Sequence, residues 1–345
     1  MRLLVITQAV DADDVQLGFF VEWLAALAPH YEHVEVICLK EGTHALPANV
    51  RVRSLGKERE SGSRMGKRLR YIGRFFRALF AAKRYDAVFV HMNQEYVLLA
   101  GLWWRFLGRP VYLWRNHYSG SFLTVIAARL SRRVFYTSRY SYTARFPHAI
   151  QMPVGIDTER FAPGSERESR SIVSLGRVAP SKRLELFVDA LRLLHRDAIT
   201  FVARIYGDPL PQDRPYLDSL RSAREEFGLA ELSFHPGVPH RDVPALLARA
   251  SVFVNVSKSG MLDKTIFEAA SAGCLVLARS DDYHGWVDER FRITSDEPTE
   301  LAQKLRALLV LSPEDEKTAR ERLRAMVIER HGLAELARRL REAML

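Results

Sequence analysis

The sequence predicts an α/β protein made of two doubly wound, Rossmann-like domains, each with a parallel sheet covered by helices on both faces. Short apolar runs typical of buried strands alternate with amphipathic helical segments along the chain. A polar, turn-forming stretch at 162–169 separates two such series. The length of 345 residues also suits about two domains. We predict domains at 1–165 and 166–332, followed by a helix at 333–345.

The first series contains a helix that begins near Gly18, with apolar residues at helical spacing from Phe19 to Leu27. Its predicted strands are 3–7, 34–39, 87–91, 111–114, 134–137 and 150–152. In the second series, Ser181 can cap an amphipathic helix. The predicted strands there are 171–175, 200–206, 232–234, 252–256 and 274–278. Ligands of such sheets bind beyond the carboxyl ends of the strands, so the loops after strands are where function is expected.

Composition and motifs exclude several classes of protein. The hydrophobic fraction of 48% and charged fraction of 27% are those of a folded globular chain. Cys38 and Cys274 are too few for a disulfide scaffold or a four-cysteine zinc site, and suit a reducing cytoplasm. The apolar runs are too short for a membrane span, and acids come too early for a signal peptide. Dinucleotide, Walker A, zinc-protease and serine-hydrolase motifs are missing, so we expect no cofactor and no metal.

A basic segment dominates the charge of the chain. The net charge is +10, and residues 51–84 hold twelve Lys or Arg against two acids, which equals the whole excess. Within it, 67–82 alternates apolar residues with five cations: Lys67, Arg68, Arg70, Arg74 and Arg77. One interpretation is a packed helix with a solvated basic face. The other is a surface that binds an acidic partner, either anionic lipid or, less favoured because no RNA-binding motif accompanies the charge, nucleic acid.

Two loops between a strand and a helix are candidates for chemistry. In the first, Arg177 and Lys182 are close enough to face one site near a helix start, which suits a diphosphate; two solvated surface charges are the alternative. The second runs from Ser257 into a small, apolar helix that carries Glu268. Glu268 can pair with Lys264 one turn earlier, but in the weaker orientation, and can also accept bonds from ligand hydroxyls.

These segments together resemble the C-terminal domain of retaining glycosyltransferases of the GT-B fold, family 4, and the likeness covers most of the chain. Five pieces occur in the family's order: 152–163, Gly176 to Lys182, 205–209, 234–238 and 268–273. The resemblance implies two domains that face a central cleft, with the last helix returning to the first domain. It also implies a nucleotide-diphosphate sugar as donor, a hydroxyl acceptor and no metal.

The resemblance assigns roles to individual residues. Arg177 and Lys182 hold the diphosphate, and Glu268 binds the ribose hydroxyls. Gly207 lies in a turn beside the nucleotide, and Val238 follows the strand that contacts the base. The helix start at Lys264 and Thr265 stabilises charge on the leaving diphosphate. Where the family has another Glu, this sequence has Gly260, so sugar contacts are expected from Asp263 or from the backbone of 260–265.

The first domain contributes two candidates by the same resemblance. Gly18 lies in the loop after the first strand, where the family faces the donor diphosphate; a tight helix start is the alternative. His117 follows a strand and matches the family's histidine near the reacting sugar. His91, also at a strand end, competes with it, whereas His30, His33, His148 and His240 are expected in loops or on the surface.

The predicted function is therefore a retaining, metal-independent glycosyltransferase acting on a glycolipid or an envelope polysaccharide precursor. We expect it in the cytoplasm or attached to the inner face of the membrane. One alternative is a catalytically inactive GT-B scaffold that binds membrane or nucleic acid through its basic segment. Another is a sugar-nucleotide epimerase of the same fold.

Overall fold

The computed structural model describes residues 1–59, 64–82, 84–258 and 262–345, which form two compact units. The first unit comprises Met1–Gly155, Pro239–Arg241 and Leu333–Leu345. The second comprises Ile156–Val238 and Asp242–Gly332. The division of the chain after Gly155 precedes the predicted boundary near residue 165.

The first unit contains a seven-stranded parallel sheet in the order β3-β2-β1-β4-β5-β6-β7. The strands are β1 (Arg2–Val10), β2 (His33–Glu41), β3 (Val50–Ser54), β4 (Ala87–His91), β5 (Val111–Trp114), β6 (Arg133–Tyr136) and β7 (Ala149–Gln151). The helices that precede its later strands are α1 (Phe19–Leu27), α2 (Arg64–Ala81), α3 (Gln94–Phe106) and α4 (Phe122–Leu130).

The second unit contains a five-stranded parallel sheet in the order β10-β9-β8-β11-β12. Its strands are β8 (Ser171–Leu175), β9 (Val202–Tyr206), β10 (Leu232–His235), β11 (Val252–Asn255) and β12 (Leu275–Ala278). Its helices are α5 (Leu184–Arg196), α6 (Arg214–Glu226), α7 (Val243–Arg249), α8 (Lys264–Ser271), α9 (Asp281–His284), α10 (Pro298–Leu309) and α11 (Pro313–His331). Two parallel sheets flanked by helices were predicted, and that prediction is confirmed.

Strand β1 shows why an unbroken apolar run forms the centre of such a sheet. Successive side chains of a strand point to opposite faces. Leu3 and Val5 therefore join one buried cluster, and Leu4 and Ile6 join another on the opposite face. Since helices cover both faces, every position of the run is buried.

The last helix, α12 (Leu333–Met344), belongs to the first unit. Its side chains Leu336, Leu340 and Met344 are buried in the cluster that contains Trp23. The Tyr112 hydroxyl donates to the Met344 carbonyl at 2.9 Å. The apolar stripe of α12 is thereby covered, and its end is tied to β5.

Gly155 is held where no other residue fits. Its φ is +73°, and its carbonyl accepts a hydrogen bond from the Trp23 indole at 3.2 Å. A Cβ there would lie 2.3 Å from Leu336 Cδ2 and 2.9 Å from Trp23 Nε1. Both the backbone conformation and the packing of α12 therefore require glycine.

We expect Gly155→Ala to lower the unfolding free energy by about 2–4 kcal/mol. The alanine would be strained in the left-handed backbone conformation, and its Cβ would also clash with Leu336 and Trp23. Gly108→Ala is the matched control, since Gly108 has φ +67° but a Cβ there would meet no described atom within 4 Å. The control is expected to lower the unfolding free energy by only about 1 kcal/mol, because backbone strain is its single cost. Urea unfolding followed by tryptophan fluorescence measures both, and equal losses would contradict the packing argument.

Two details of the basic segment differ from the prediction. Residues 50–54 form strand β3 at the sheet edge, and Arg53 makes an ion pair with Glu35 on β2. In α2, Phe75 and Leu79 are buried, whereas Leu69 and Phe80 of the predicted apolar side are exposed. Among the described residues, no helix is both long and apolar enough to span a bilayer.

Candidate functional site

A shallow, open pocket lies at the carboxyl ends of β8, β9 and β11 in the second unit. The strand order reverses between β8 and β11, and the crevice at such a reversal is where open α/β sheets bind ligands. Residues from both loops at the reversal line it, together with the end of β9. The lining side chains with polar groups are Ser174, Arg177, Lys182, Tyr206, Asn255 and Ser257.

Lys182 is held at this pocket by Asp263, which begins helix α8. Lys182 Nζ lies 2.5 Å from Asp263 Oδ2, and the Asn255 amide donates to the same oxygen at 2.8 Å. The Thr265 hydroxyl donates to Asp263 Oδ1 at 2.8 Å. Both carboxylate oxygens are thus occupied within the protein. Asp263, predicted as a sugar contact, here positions Lys182 and caps the helix that carries Glu268.

The charge state of Asp263 follows from these contacts. Burial alone would raise its pKa, but the attraction of Lys182 and the hydrogen bonds from Lys182, Thr265 and Asn255 outweigh burial and lower it. The carboxylate therefore stays ionised at neutral pH. The ionised carboxylate of Asp263 holds the Lys182 side chain at the pocket.

Arg177 is a half-buried cation that lines the same pocket. Its Nε is buried, and no hydrogen-bond partner for it occurs in the described parts of the chain. A buried donor without a partner costs about 1–3 kcal/mol, so an anion that accepts its hydrogen bond is stabilised there. The structure thus brings Arg177 and Lys182 together, as the sequence predicted.

Gly207 shapes the backbone beneath this pocket. A Cβ at Gly207 would lie 1.9 Å from the Gly176 carbonyl oxygen. The two loops are also joined by the Gly176 amide, which donates to the Tyr206 carbonyl at 3.0 Å. Gly207 is therefore a close-approach position that sets the path of the loop carrying Arg177.

An aromatic pair adjoins the pocket at the ends of β9 and β10, and the sequence reasoning missed it. The rings of Tyr206 and His235 stack with centroids 4.7 Å apart. The Asp208 carboxylate accepts from the Gly237 amide at 3.0 Å, which ties down the turn before half-buried Val238. Asn255 was missed as well. The available signals were a polar residue at the end of an apolar strand and two aromatic rings at neighbouring strand ends.

Glu268 and Lys264 lie on α8 outside the lining of this pocket. Glu268 is only 2% exposed, and its carboxylate lies 3.8 Å from Lys264 Nζ. Burial lowers the pKa of Lys264 to about 8 despite the opposing attraction of Glu268. The pair with Lys264 is therefore present, and the binding of ribose hydroxyls by Glu268 stays a prediction.

His117 and His91 follow neighbouring strands of the first unit but differ in environment. His117 is half-buried, its ring stacks on Tyr118 at 4.5 Å, and its Nδ1 accepts from the Ser119 amide at 3.0 Å. The Ser119 hydroxyl and carbonyl oxygens also lie 2.8 and 3.3 Å from Nδ1, so Nδ1 is occupied by Ser119 and Nε2 is the nitrogen that a ligand can contact. His91 is buried, stacked on Phe20 at 4.0 Å, so it belongs to the core.

Gly18 allows a close approach in the first unit. A Cβ there would lie 2.7 Å from the Asp14 carbonyl oxygen and 2.8 Å from His240 Cβ. His240 lies in a turn between β10 and α7, as one of the two expectations had it, but it is buried and not on the surface, 3.4 Å from a Glu22 carboxylate oxygen. It is buried because its ring lies beside Phe19 and Glu22 of α1, a contact that sequence spacing does not reveal.

Other predicted residues stand as follows. Gly260 lies outside the described residues, as do the side chains of Lys67 and Arg68. Arg70 and Arg77 are exposed, but Arg74 is half-buried and donates to the Leu55 carbonyl at 2.8 Å. Within the described ranges, no group of three or more His, Cys, Asp or Glu side chains is arranged to hold a metal ion.

Comparison with known proteins defines the class to which this fold belongs. Residues 169–310 match the family model described as Glycosyl transferases group 1. The whole fold matches the crystal structure of Anabaena HepE in complex with UDP and glucose, with a TM-score of 0.78, 18% identity, and coverage of 100% of this chain and 99% of that one. Together these findings support a GT-B glycosyltransferase.

Two sequence relatives come from bacteria. One is the GDP-mannose-dependent alpha-(1-6)-phosphatidylinositol monomannoside mannosyltransferase of Mycolicibacterium smegmatis, 31% identical over 139 residues, or 35% of each chain. The other is the UDP-N-acetylglucosamine–peptide N-acetylglucosaminyltransferase GtfA subunit of Streptococcus gordonii, 24% identical over 168 residues, or 47% of this chain. This chain spans 35% and 32% of the lengths of these relatives.

Proposed function

We propose that this protein is a retaining glycosyltransferase that moves a sugar from a nucleoside-diphosphate sugar to a hydroxyl of a lipid-linked or envelope saccharide, without a metal. The observation that carries the proposal is the pair of cations at the pocket where the β8–β11 strand order reverses. Arg177 has a buried donor without a partner in the described chain, and Lys182 is fixed by an ionised carboxylate. Two positioned cations suit the diphosphate of a donor.

The chemistry follows from where charge develops. As the sugar–phosphate bond breaks, negative charge grows on the leaving diphosphate, and Arg177 and Lys182 stabilise it more strongly than in the ground state. Lys264 at the start of α8 adds a third cation, and Glu268 accepts bonds from the ribose hydroxyls. His117 Nε2 donates to a sugar hydroxyl. The acceptor hydroxyl attacks on the face the leaving group departs from, which retains configuration, and the departing phosphate takes its proton.

Several features support the finer parts of this proposal. The M. smegmatis relative is named as a GDP-mannose-dependent phosphatidylinositol monomannoside mannosyltransferase, and the HepE complex contains UDP and glucose. The first name supports a lipid-linked saccharide as acceptor, and the two together make UDP and GDP the first nucleotides to test. The cations of the pocket can supply the charge compensation that a metal gives in other transferases.

Calorimetric titration with UDP, GDP and ADP in the absence of metal tests the donor site. We expect one of the three to bind at one site per chain with about micromolar affinity. Turnover of the matching nucleotide sugar only when an acceptor is present would also distinguish transfer from epimerisation. Failure of all three nucleotides to bind would favour a catalytically inactive scaffold instead.

Lys264 makes the reaction sensitive to alkaline pH. Its pKa of about 8 means that the ammonium loses its proton, and its attraction for the diphosphate, as the pH rises through 8. We expect kcat/KM to fall above pH 8, since that profile reports groups of the free enzyme. In Lys264→Arg the guanidinium stays protonated, so the decline should disappear. The same decline in both proteins would show that another group titrates.

A further inference from the structure

Four large apolar side chains stand out of the first unit on helices α2 and α3. They are Phe80 at 58% exposed, Leu102 at 71%, Trp103 at 43% and Phe106 at 82%. We call these four residues the apolar ridge. Exposed apolar side chains that occur singly need no explanation, but a contiguous set marks a surface that contacts something else.

Ring contacts show that three of the four ridge side chains are contiguous across the two helices. The Phe80 ring lies 6.1 Å from the Trp103 ring, and Trp103 lies 6.2 Å from Phe106. The neighbouring Trp104 is buried, and its indole donates to the Tyr85 hydroxyl at 3.0 Å. Adjacent positions of a helix point about 100° apart, so the burial of Trp104 keeps Trp103 directed outward.

Exposed arginines lie at the same edge of the sheet as the ridge. The strands are parallel, so the carboxyl ends of α2, α3 and α4 all lie where β4, β5 and β6 begin. The exposed arginines on these helix ends and connections are Arg77, Arg105, Arg129, Arg132 and Arg133. Glu32 and Asp86 are acids at this edge, and both are hydrogen-bonded to Arg2.

The sequence around the ridge is depleted in acids over a long stretch. Residues 96–156 contain eight arginines and neither Asp nor Glu. The positive charge of the first unit therefore extends well beyond the segment 51–84, into α3, α4 and the connection to β6. An apolar ridge next to arginines with few acids near them in sequence is complementary to a partner with an apolar interior and an anionic surface.

We propose that the apolar ridge and the adjacent arginines form a docking surface for an anionic lipid bilayer. Tryptophan and phenylalanine side chains insert at the level of the lipid headgroups, and the nearby arginines are attracted to the anionic headgroups. A second copy of the chain fits less well. A symmetric dimer would place the same arginines against each other without acids between them.

Sedimentation with vesicles tests this surface. We compare the wild type with the triple variant Leu102→Ser, Trp103→Ser and Phe106→Ser, using phosphatidylcholine vesicles with and without phosphatidylglycerol. The wild type should bind the anionic vesicles, less so at high salt, and the triple variant should bind them at least about tenfold more weakly, since it loses most of the inserted apolar area. The matched control is Val310→Ser with Ile328→Ser, two exposed apolar residues of the second unit, and it should bind like the wild type.

Three results would overturn the proposal: no vesicle binding by the wild type, equal binding by the triple variant, or a wild-type dimer that the triple variant converts to a monomer. The circular dichroism spectrum and the thermal unfolding temperature of the triple variant should match those of the wild type, which shows that the substituted first unit is folded. Because vesicle binding needs no turnover, the membrane surface can fail while the proposed transferase activity stands, and the reverse.

Discussion

Lys182→Ala is expected to weaken binding of the nucleoside diphosphate by about 10- to 100-fold, the loss of one charged hydrogen bond. Turnover should fall further, by about 100- to 1000-fold, because the lost interaction strengthens as the diphosphate leaves. The variant also leaves the ionised Asp263 without its cation, which destabilises the fold. Calorimetry gives the binding loss, and product formation from the nucleotide sugar gives the loss of turnover.

Two controls separate these effects. Arg183→Ala removes the neighbouring cation, which pairs with Asp296 at 2.5 Å, and should leave donor binding nearly unchanged. Lys182→Ala combined with Asp263→Asn removes both charges, so stability should recover while diphosphate binding does not. Wild-type affinity in the double variant would refute the diphosphate role of Lys182.

Glu268→Gln is expected to weaken binding of the nucleoside diphosphate by about 100-fold, because the carboxylate is replaced as acceptor of the ribose hydroxyls. A second effect follows from Lys264. The carboxylate of Glu268 raises the pKa of Lys264 against the effect of burial, so its loss should move that pKa below about 8. The alkaline decline of kcat/KM should accordingly shift to lower pH.

A dideoxyribonucleoside diphosphate tests the ribose role of Glu268 directly. Removal of the ribose hydroxyls should weaken ligand binding to the wild type about as much as Glu268→Gln weakens binding of the ordinary nucleoside diphosphate. The Glu268→Gln variant should be nearly indifferent to those hydroxyls, as expected when two changes remove one interaction. Additive losses would mean that Glu268 acts through Lys264 and does not contact the ribose.

The strands and helices of this protein could be predicted wherever local pattern and burial agree. The buried run of β1 and the amphipathic stripe of α5 each carry their own signal. Strand β3 was missed because it lies at the edge of the sheet. Its arginines alternate with valines and face solvent or partners on β2, so the segment looks like part of the basic run. The helix α2 was found, but its register against the core, and hence which side chains are exposed, required the neighbouring helices.

The candidate site shows a similar division. Arg177 and Lys182 were identified because both lie on one loop between a strand and a helix, a local feature. The partner of Lys182 lies 81 residues away. No periodicity links Lys182 with Asp263, or Arg74 with the Leu55 carbonyl. These contacts exist only because separate strands end at the same edge of a sheet, or because a helix packs beside a turn.

The sequence by itself determined the two sheets and the loops that carry the cations, because alternation, helical spacing and turn residues act within a few positions of each other. The tertiary structure alone decided that Asp263 positions Lys182 and that His91 and His240 are buried while His117 is not. It also decided that Phe80, Trp103 and Phe106 form one exposed surface. The physical reason is that burial, ion pairing and exposure depend on which distant segments come to lie within a few ångströms of each other.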